Sequence, residues 1–399
     1  MKWKGLATLS LAVTLSLMPN AGEVSADKKS ELPKVETKSE VSNGDYVKGE
    51  VVVKFKEGKG KSAEKSAMQG ASAAEVEDKD VVESDFKVLE VGNVEKAVKA
   101  LNNNPNVEYA EPNYEFDTTW TPNDTYYSSV QYGPQNTNTE AAWDITRGSG
   151  SQQIAIVDSG VDYNHPDLDG KTIRGYDFID NDYNPMDENG HGTHVAGTAA
   201  AETNNAQGVA GMAPNTEILA VRALDANGSG SLAAIADSIR YSADQGAEVI
   251  NLSLGCDCDT QTLENAVNYA WNQGSVVIAA AGNDGVSTTF EPASYANAIA
   301  VGAVDRYDNK ASFSNYGTWV DVTAPGVDIA STVPNGGYAY MSGTSMASPH
   351  VAGLAGLLAS QGRSNSDIRA AIENTADSIA GTGYYFNDGR INSYAAVNY

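Results

Sequence analysis

The stretch "QQIAIVDSG" (residues 152–160) is an apolar run that ends in a carboxylate and a glycine. Three further apolar runs follow along the chain: "EILAVRAL" (217–224), "AEVINLSLG" (247–255) and "GSVVIAAAGN" (274–283). Helical segments alternate with them. Continuous apolar strands of this kind are typical of a parallel sheet that is covered by helices on both faces. The sequence therefore predicts an α/β fold from about residue 150 onward.

Polar residues follow three of these predicted strands, namely Asp158, Ser253 and Asn283. Parallel sheets place their functional groups just beyond the carboxyl ends of the strands. The three positions are therefore candidates for a site at that edge of the sheet.

A further stretch, "SGTSMASPHVAGLAGLLAS" (342–360), predicts a helix that is apolar on every side and therefore buried in a large domain. Serines before an apolar run are usual helix-start residues, because their hydroxyls satisfy free backbone N–H groups. A serine here would also lie where peptide dipoles converge and water is scarce, which favours nucleophilic chemistry if a base activates it. Ser345 is thus a candidate nucleophile, and helix capping is the alternative.

The chain contains four histidines, His165, His191, His194 and His350, so the candidate base is found almost by elimination. His350 follows Ser345 by one and a half turns of the same predicted helix, so its ring is expected to point away from the hydroxyl. His165 lies in the loop-like "YNHPDLDG". There remains "NGHGTHVAGTAAAE", a helix start rich in small residues that contains the other two histidines.

Asp158, His191 and Ser345 form a set in the order acid, base, nucleophile. In such a triad the histidine accepts the serine proton, and the carboxylate orients the imidazole and stabilises its charged form. Asn283 can donate a side-chain N–H to the oxyanion of a tetrahedral intermediate, together with the backbone N–H of Ser345. The set predicts acyl transfer by a serine nucleophile.

The motifs "VDSGVDYNHPDL", "HGTHVAGT" and "GTSMASPHVAG" occur in this order, and with them the chain resembles the subtilisin-like serine proteases, in particular the thermitase-like branch. The resemblance covers nearly all of 120–399. It implies a subtilisin-like parallel sheet and a serine endopeptidase of broad specificity, with the triad and the oxyanion donor already named. It also implies a preference for large apolar or aromatic residues before the cut bond. Protein and peptide substrates would pair as extra strands with two segments: Gly228, Ser229, Gly230 and Ser253, Leu254, Gly255.

Two other functions fit part of the pattern. An esterase of the α/β-hydrolase type needs an acid and then a histidine after the nucleophile, but only His350 follows Ser345. A secreted, calcium-stabilised binding protein could keep the fold without turnover. The presence of all four chemical groups argues against that function, and so does the resemblance of residues 46–116 to an inhibitory propeptide.

The N-terminal part of the chain differs from the rest in composition. Lys2 and Lys4 precede an apolar stretch and a small-residue site at Ala26, which predicts a secretory signal peptide over 1–26 and an extracellular protein. The apolar stretch is too short to span a bilayer, so no membrane anchor is expected. Residues 27–119 contain lysine but no arginine, whereas arginine outnumbers lysine from there on. Two folding units with different roles are therefore expected.

In 27–119, "YVKGEVVVKF" and "VEYAEPNYEF" predict strands, and "VEKAVKALNNNP" predicts an amphipathic helix. These elements indicate a small α+β domain of ferredoxin-like type, and 46–116 resembles the inhibitory propeptide of the same family. We expect the propeptide to assist folding, to inhibit the enzyme, and to be removed by the enzyme itself near Thr119–Trp120. Bonds such as Phe116–Asp117 are alternatives. The catalytic domain would then be 120–399, expected to be a monomer.

The formal net charge of the chain is −26, which argues against nucleic acid or an anionic membrane as a partner. Carboxylates crowd the segment "GYDFIDNDYNPMDEN", where like charges need either solvent or a cation. A solvated acidic loop and a site for a hard cation are the two alternatives. The family resemblance implies Ca²⁺ here, with side-chain ligands Asp177, Asp180 and Asp182 and backbone oxygens from Asn184 and Met186.

The same resemblance implies a second, tighter Ca²⁺ site that would fix the N-terminal segment of the mature enzyme to its body. Its side-chain ligands would be Asp124, Asp167 and Asn205. Its backbone ligands would be Glu202, Gln207 and Val209. Calcium is thus the expected cofactor.

The two cysteines, Cys256 and Cys258, are separated by one residue. A secreted protein can form a disulfide between them, although it closes a very small ring. A redox or metal role is the alternative, but two thiols make a metal site improbable. We expect a local disulfide beside the substrate-lining "SLG".

Overall fold

The computed structural model describes residues 16–17, 46–56, 58, 60–75, 85–114 and 120–399. Most of the predicted signal peptide lies outside these residues, and of the expected cut bond only Trp120 is described. Within the described ranges, no helix is long and apolar enough to cross a membrane.

The described residues form two compact units. One comprises 46–114, and the other comprises 120–399 together with the two-residue strand β1 (Ser16–Leu17). Each unit has a hydrophobic core of its own.

The smaller unit is a four-stranded antiparallel sheet with two helices. Val51 and Val53, alternate residues of its first strand, lie in its core with Leu89 and Leu101. The strand order β3-β4-β2-β5, combined with the order of elements along the chain, is the ferredoxin-like arrangement, so the prediction for this region is confirmed. The elements are β2 (Tyr46–Phe55), α1 (Lys61–Gly70), β3 (Ala73–Glu75), β4 (Lys87–Val91), α2 (Val94–Asn102) and β5 (Val107–Tyr114).

The larger unit alternates strands and helices along most of its length. Its elements are α3 (Gly133–Asn136), α4 (Thr139–Trp143), β6 (Gln153–Asp158), β7 (Thr172–Asp177), α5 (His191–Ala200), β8 (Glu217–Arg222), α6 (Leu232–Asp244), β9 (Val249–Leu252), α7 (Gln261–Gln273), β10 (Val276–Ala280), β11 (Ala298–Val304), β12 (Val322–Pro325), β13 (Ile329–Val333), β14 (Gly337–Met341), α8 (Thr344–Ala359), α9 (Asn365–Asn374), β15 (Gly389–Arg390) and α10 (Ser393–Val397).

Eight strands of this unit form one sheet in the order β15-β12-β11-β10-β9-β6-β8-β7. Every neighbouring pair in it is parallel. The four apolar runs of the sequence are the adjacent strands β10, β9, β6 and β8. The predicted parallel sheet is therefore confirmed.

Helices cover both faces of this sheet, as predicted. Side chains of a strand alternate between the faces, so Ile154 and Ile156 of β6 pack in one core with residues of α5 and α8. Ala155 and Val157 of the same strand lie in a second core with residues of α6 and α7. Burial on both faces explains why these strands are apolar throughout.

Helix α8 is buried along its whole length, as its sequence predicts. Gly353 lets it pass close to α5, because a β-carbon at this position would lie 2.7 Å from the backbone oxygen of Ala199. The first turns of the two helices carry Ser345 and His191. The contact between the helices therefore helps to fix the candidate nucleophile relative to the candidate base.

A hairpin of β13 and β14 links the same two helices. The hydroxyls of Ser331 and Thr332 in β13 donate to the backbone oxygens of His194 and Thr193 in α5, each at 2.8 Å. Strand β14 pairs with β13 and β1, and it leads into α8. The base-bearing helix is thus fastened to the segment that precedes the nucleophile.

Candidate active site

Asp158 and His191 meet at the carboxyl edge of the sheet, where Asp158 ends β6 and His191 begins α5. The Nδ1 atom of His191 lies 2.8 Å from Oδ1 of Asp158, and both residues are buried. With the Nδ1 proton held by the carboxylate, Nε2 carries the lone pair of the neutral ring. Among the described residues, this Nε2 has no hydrogen-bond partner. The ring is therefore oriented by one nitrogen and free to act as a base with the other.

Opposing effects set the pKa of His191. Burial lowers it, whereas the charge of Asp158 and the hydrogen bond to Asp158 raise it, and the net result is a raised pKa. The charged imidazolium is thus stabilised once it forms. A general base in acyl transfer needs this property, because it carries the proton in the transition state.

Asp187 fixes the N-terminus of α5. Its Oδ1 accepts the backbone N–H of Gly190 at 2.8 Å, and its Oδ2 accepts the backbone N–H of Thr193 at 2.9 Å. The hydroxyl of Ser159, next to the end of β6, also donates to Asp187 at 2.9 Å. This buried carboxylate holds the start of the helix, and with it His191, against the strand. In the sequence Asp187 is one of the crowded carboxylates of "GYDFIDNDYNPMDEN", but an aspartate shortly before a helix is also a known capping signal.

Ser345 lies in the first turn of α8 and is buried. Its Oγ donates to the backbone oxygen of Ser253 at 3.2 Å, and the Ser253 hydroxyl donates to the backbone oxygen of Ser345 at 2.8 Å. The serine is thus tied to the end of β9. Its hydroxyl uses a backbone carbonyl as acceptor in this structure.

Asn283 follows β10 and is held by Thr344. Its side-chain oxygen accepts the backbone N–H and the hydroxyl of Thr344 at 2.8 and 3.0 Å, which leaves the amide nitrogen for another acceptor. A β-carbon on Gly343 would lie 3.5 Å from this nitrogen and 3.6 Å from the backbone nitrogen of Ser345. Both donors therefore border one space that the glycine leaves open. Such a pair can stabilise an oxyanion.

Thr344 is a positioning residue that the sequence reasoning missed. The signal was present, since its hydroxyl directly precedes the candidate nucleophile in "GTSMA".

The two segments expected to pair with substrate lie near these groups. Residues 228–230 are exposed in the loop after β8, and Asp225 holds this loop by accepting the backbone N–H of Ser229 at 3.0 Å. The loop also contacts Asn189, whose amide donates to the backbone oxygen of Ala226 at 3.0 Å. In the other segment, exposure increases from buried Ser253 to exposed Gly255.

Two other histidines bind backbone carbonyls. Nε2 of His194 lies 2.9 Å from the oxygen of Ile329 and 3.3 Å from that of Ala339, and Nδ1 of His350 donates to the oxygen of Met346 at 2.8 Å. Burial lowers the pKa of His194 to about 3 and that of His350 to about 4. Both are therefore neutral at physiological pH.

The residues implied for the tighter calcium site come together around two buried carboxylates, Asp124 and Asp167. Asp167 accepts the side-chain N–H of Asn205 at 2.8 Å and the backbone N–H of Val209 at 3.0 Å. Among the described residues, Oδ1 of Asp124 has no partner although it is buried. Burial, with a contribution from nearby Asp167, raises the pKa of Asp124. The remaining implied ligands, Glu202 and Gln207, lie on the same loop as Asn205 and Val209.

The other implied set differs, because a basic side chain already binds it. Nη1 of Arg222 lies 2.9 Å from a carboxylate oxygen of Asp177 and 2.9 Å from one of Asp180, and Nη2 lies 2.7 Å from Glu188. Asp182 is exposed. Arg222 was not predicted, because its position at the end of an apolar run does not show that it meets the acidic loop. The last two implied ligands, Asn184 and Met186, are joined by a backbone hydrogen bond of 2.7 Å.

Within the part of the chain that the structure describes, no group of three or more His, Cys, Asp or Glu side chains is arranged to hold a metal ion. The Cα atoms of Cys256 and Cys258 are 5.2 Å apart, a separation that suits the expected disulfide.

Two known protein families match parts of the chain. The subtilase family matches residues 149–393, and the fervidolysin N-terminal prodomain matches residues 33–113. The two matches fall on the larger and the smaller unit of the structure.

Individual relatives agree with these matches. A thermophilic serine proteinase of Bacillus sp. (strain AK1) is 69% identical over 401 residues, which cover 100% of both chains. Thermitase of Thermoactinomyces vulgaris is 62% identical over 280 residues, covering 70% of this chain and 100% of that protein. Among solved structures, a protease from Pseudoalteromonas arctica superposes with a TM-score of 0.63 at 32% identity, covering 70% of this chain and 99% of that one.

Proposed function

The chain belongs to the subtilase family and is a serine protease, and we propose that it is an endopeptidase whose triad is Asp158, His191 and Ser345. One observation carries this proposal. At the carboxyl edge of the sheet, a buried carboxylate orients a histidine whose Nε2 is free, and two N–H donors beside the serine border a single open space. Asn283 supplies one of these donors, and the backbone of Ser345 supplies the other.

The first half of the reaction acylates the enzyme. When substrate binds, Oγ of Ser345 gives up its bond to Ser253 and passes its proton to Nε2 of His191 as it attacks the scissile carbonyl. The carbonyl oxygen becomes an oxyanion and accepts N–H bonds from Asn283 and Ser345. As the C–N bond breaks, His191 returns the proton to the leaving amine, and the acyl group stays on Oγ.

The second half hydrolyses this ester. A water molecule passes a proton to His191 and attacks the acyl carbon, and the same donors stabilise the new oxyanion. Collapse of the intermediate releases the carboxylic acid, and the proton on His191 returns to Oγ. Asp158 keeps its charge throughout and stabilises each imidazolium.

Labelling tests this assignment directly. A sulfonyl fluoride or fluorophosphonate should form an adduct on Ser345 of the mature protein, which should also hydrolyse casein. Ser345→Ala should lose both properties. Ser342→Ala is the matched control, because Ser342 lies in the same loop and its hydroxyl accepts the backbone N–H of Asp328 at 2.8 Å. A mature protein that forms no adduct and hydrolyses no casein would instead support a binding protein.

The substrate is proposed to bind as an extra strand between the exposed segment 228–230 and the segment 253–255. Glycines in both segments suit close approach of a second backbone. The proposal is supported by the exposure of 228–230 and by the contact of Ser253 with the nucleophile.

The smaller unit is proposed to be a propeptide that assists folding and inhibits the enzyme. The match to a prodomain family and the ferredoxin-like arrangement support this role. We further propose secretion through the signal peptide 1–26, autocatalytic cutting near Thr119–Trp120, and a monomeric mature enzyme. Secreted Ser345→Ala precursor should stay uncut, and N-terminal sequencing of the mature wild type should not give a start before residue 110.

Calcium is proposed at the cluster around Asp124 and Asp167, where the residues fit a hard cation. Two buried carboxylates lie close enough to repel each other, and the unpartnered Oδ1 of Asp124 lacks the ligand that a buried charge requires. Bound here, Ca²⁺ would neutralise both charges and join the N-terminal segment of the mature enzyme to the loop with Asn205. The carbonyls of Glu202, Gln207 and Val209 would complete the oxygen set.

The set Asp177, Asp180, Asp182, Asn184 and Met186 is a second calcium proposal with less support. Arg222 already neutralises two of its carboxylates, and within the described residues none of its buried side-chain oxygens lacks a partner.

Elemental analysis and melting with and without EDTA test both sites. Two ions per chain would support both, and one ion that is lost in Asp167→Asn but kept in Asp182→Asn would support the first alone. Chelation should then lower the melting temperature and speed autolysis, because a ligand that binds only the folded state stabilises it. No bound calcium together with an unchanged melting temperature would remove both.

A further inference from the structure

The loop that follows Asn283 carries an aromatic ring into the neighbourhood of the site. The side chain of Phe290 is buried, with 8% exposure, and it packs between two glycines. A β-carbon on Gly255 would lie 2.4 Å from Cε1 of this ring, and a β-carbon on Gly282 would lie 3.1 Å from its Cγ and Cδ1. Carbon atoms in contact prefer roughly 3.5–4.0 Å, so the ring rests on the bare backbone of both glycines.

The two glycines belong to the segments that flank the reacting groups. Gly255 ends the segment 253–255, whose first residue binds the hydroxyl of Ser345. Gly282 directly precedes Asn283. The ring therefore lies between the segment 253–255, which contacts Ser345, and Gly282, which precedes Asn283.

A substrate must send one side chain into this same space. Its scissile carbonyl has to reach Ser345 while its oxygen lies between the N–H donors of Asn283 and Ser345. A strand paired with 253–255 directs successive side chains to opposite sides of the pairing plane. The side chain of the residue before the cut bond then enters the gap between 253–255 and Gly282.

The backbone that carries the ring is fastened to the segment that would line the substrate. Glu291 and Cys256 exchange two backbone hydrogen bonds of 2.8 and 2.9 Å. The backbone oxygen of Phe290 also accepts the N–H of Ser294 at 3.1 Å. The position of the ring is therefore built into the fold of this region.

We propose that Phe290 fills the base of the pocket for the residue before the cut bond, so that the enzyme prefers small residues such as alanine there. This inference rests on the proposed function and departs from the preference for large apolar or aromatic residues that the family resemblance implies. A substrate phenyl group would need the volume that the Phe290 ring occupies, whereas a methyl group would not. Phe290 is thus a specificity-determining residue.

The test uses the mature enzyme and tetrapeptide p-nitroanilides that differ only in the last residue, alanine, leucine or phenylalanine. The wild type should show a higher kcat/KM for alanine than for phenylalanine. Phe290→Ala should raise the ratio of phenylalanine to alanine by about 10- to 100-fold, since even a single methylene in a pocket changes specificity by that much. Phe290→Leu, which leaves a smaller cavity, should give an intermediate shift and covers the case in which the alanine variant does not fold.

Val286→Ala is the matched control, because Val286 lies in the same loop but is 40% exposed. Its substrate ratio should equal that of the wild type. A wild type that favours phenylalanine, or a Phe290→Leu variant with an unchanged ratio, would overturn the proposal. These outcomes differ from failure of the proposed function, in which the wild type would hydrolyse none of the substrates and Ser345 would form no adduct.

Discussion

The first turn of α5 and the turn after it each carry a histidine, and the pKa values of the two side chains are shifted in opposite directions. His191 and His194 are both buried. His191 faces a carboxylate, its pKa is raised, and its second ring nitrogen has no partner among the described residues. His194 faces two backbone carbonyls, and burial lowers its pKa to about 3.

This contrast shows that the partner and not the degree of burial decides what a buried histidine does. Burial alone penalises the charged ring at both positions. A full negative charge at Asp158 reverses that penalty for His191, whereas carbonyl dipoles at His194 do not. The same motif thus supplies one residue suited to proton transfer and one that binds the hairpin β13–β14 to the helix.

The largest expected effect comes from replacing the two histidines of α5 themselves. His191→Gln and His194→Gln apply the same replacement to both turns. Turnover should fall about a millionfold for His191→Gln, because members of a triad act as a unit. For His194→Gln it should stay within about tenfold of wild type, since the amide can still donate to a carbonyl. The measurement is kcat per active site with a peptide p-nitroanilide.

Circular dichroism controls for folding in both variants. If His194→Gln lost activity as completely as His191→Gln while remaining folded, the roles assigned to the two histidines would be wrong.

The next largest effect is expected when the carboxylate charge of Asp158, which distinguishes His191 from His194, is removed. Asp158→Asn should lower kcat by about 10⁴-fold, because the histidine loses both its orientation and the stabilisation of its charged form. The loss of charge should also lower the pKa of His191. The acid limb of kcat/KM, which reports that pKa in the free enzyme, should therefore move to lower pH than in the wild type. An acid limb that stays in place would mean that another group controls it.

A smaller loss is expected when the base is intact and only the oxyanion donor is missing. Asn283→Ala should lower kcat by about 10²- to 10³-fold with little change in KM, since the bond forms mainly in the transition state. Active-site titration with a sulfonyl fluoride should still modify Ser345. A variant whose KM rises while kcat is unchanged would show that Asn283 binds substrate in the ground state.

Much of this architecture was predictable from sequence, because it depends on local patterns. Apolar runs with polar ends predicted the parallel sheet and the positions of Asp158 and Asn283 at its edge. Small-residue helices led by Ser345 and His191 gave the two segments that the structure packs together. In each case, the information lies within a few neighbouring residues.

Features that depend on contacts distant in sequence were not predictable in this way. Arg222 was passed over because only the folded sheet brings the end of β8 to the acidic loop. The contacts that support the proposed role of Phe290 were hidden for the same reason, since its ring meets Gly255 and Gly282 only after the loop has folded back. The example of Arg222 shows that crowded carboxylates in a sequence do not reveal whether their counter-charge is a metal ion or an arginine.

The smallest expected effect concerns stability, and it sharpens the comparison of the two turns. The raised pKa of His191 contributes free energy of unfolding that is fully present below the unfolded pKa of about 6.5. This contribution disappears as pH rises through the higher folded pKa, because the folded state then loses its extra proton.

Ser345→Ala and Ser345→Ala/Asp158→Asn can be unfolded in urea at fixed calcium from pH 5 to 9 without autolysis. The stability difference in favour of Asp158 should be largest near pH 5 and should shrink towards pH 9. Ser345→Ala/His194→Gln should lose less stability than Ser345→Ala as pH falls below about 6.5, because His194 stays neutral in the folded state but takes up a proton in the unfolded state. A stability difference between the first two proteins that grows with pH would show that Asp158 does not stabilise a charged His191.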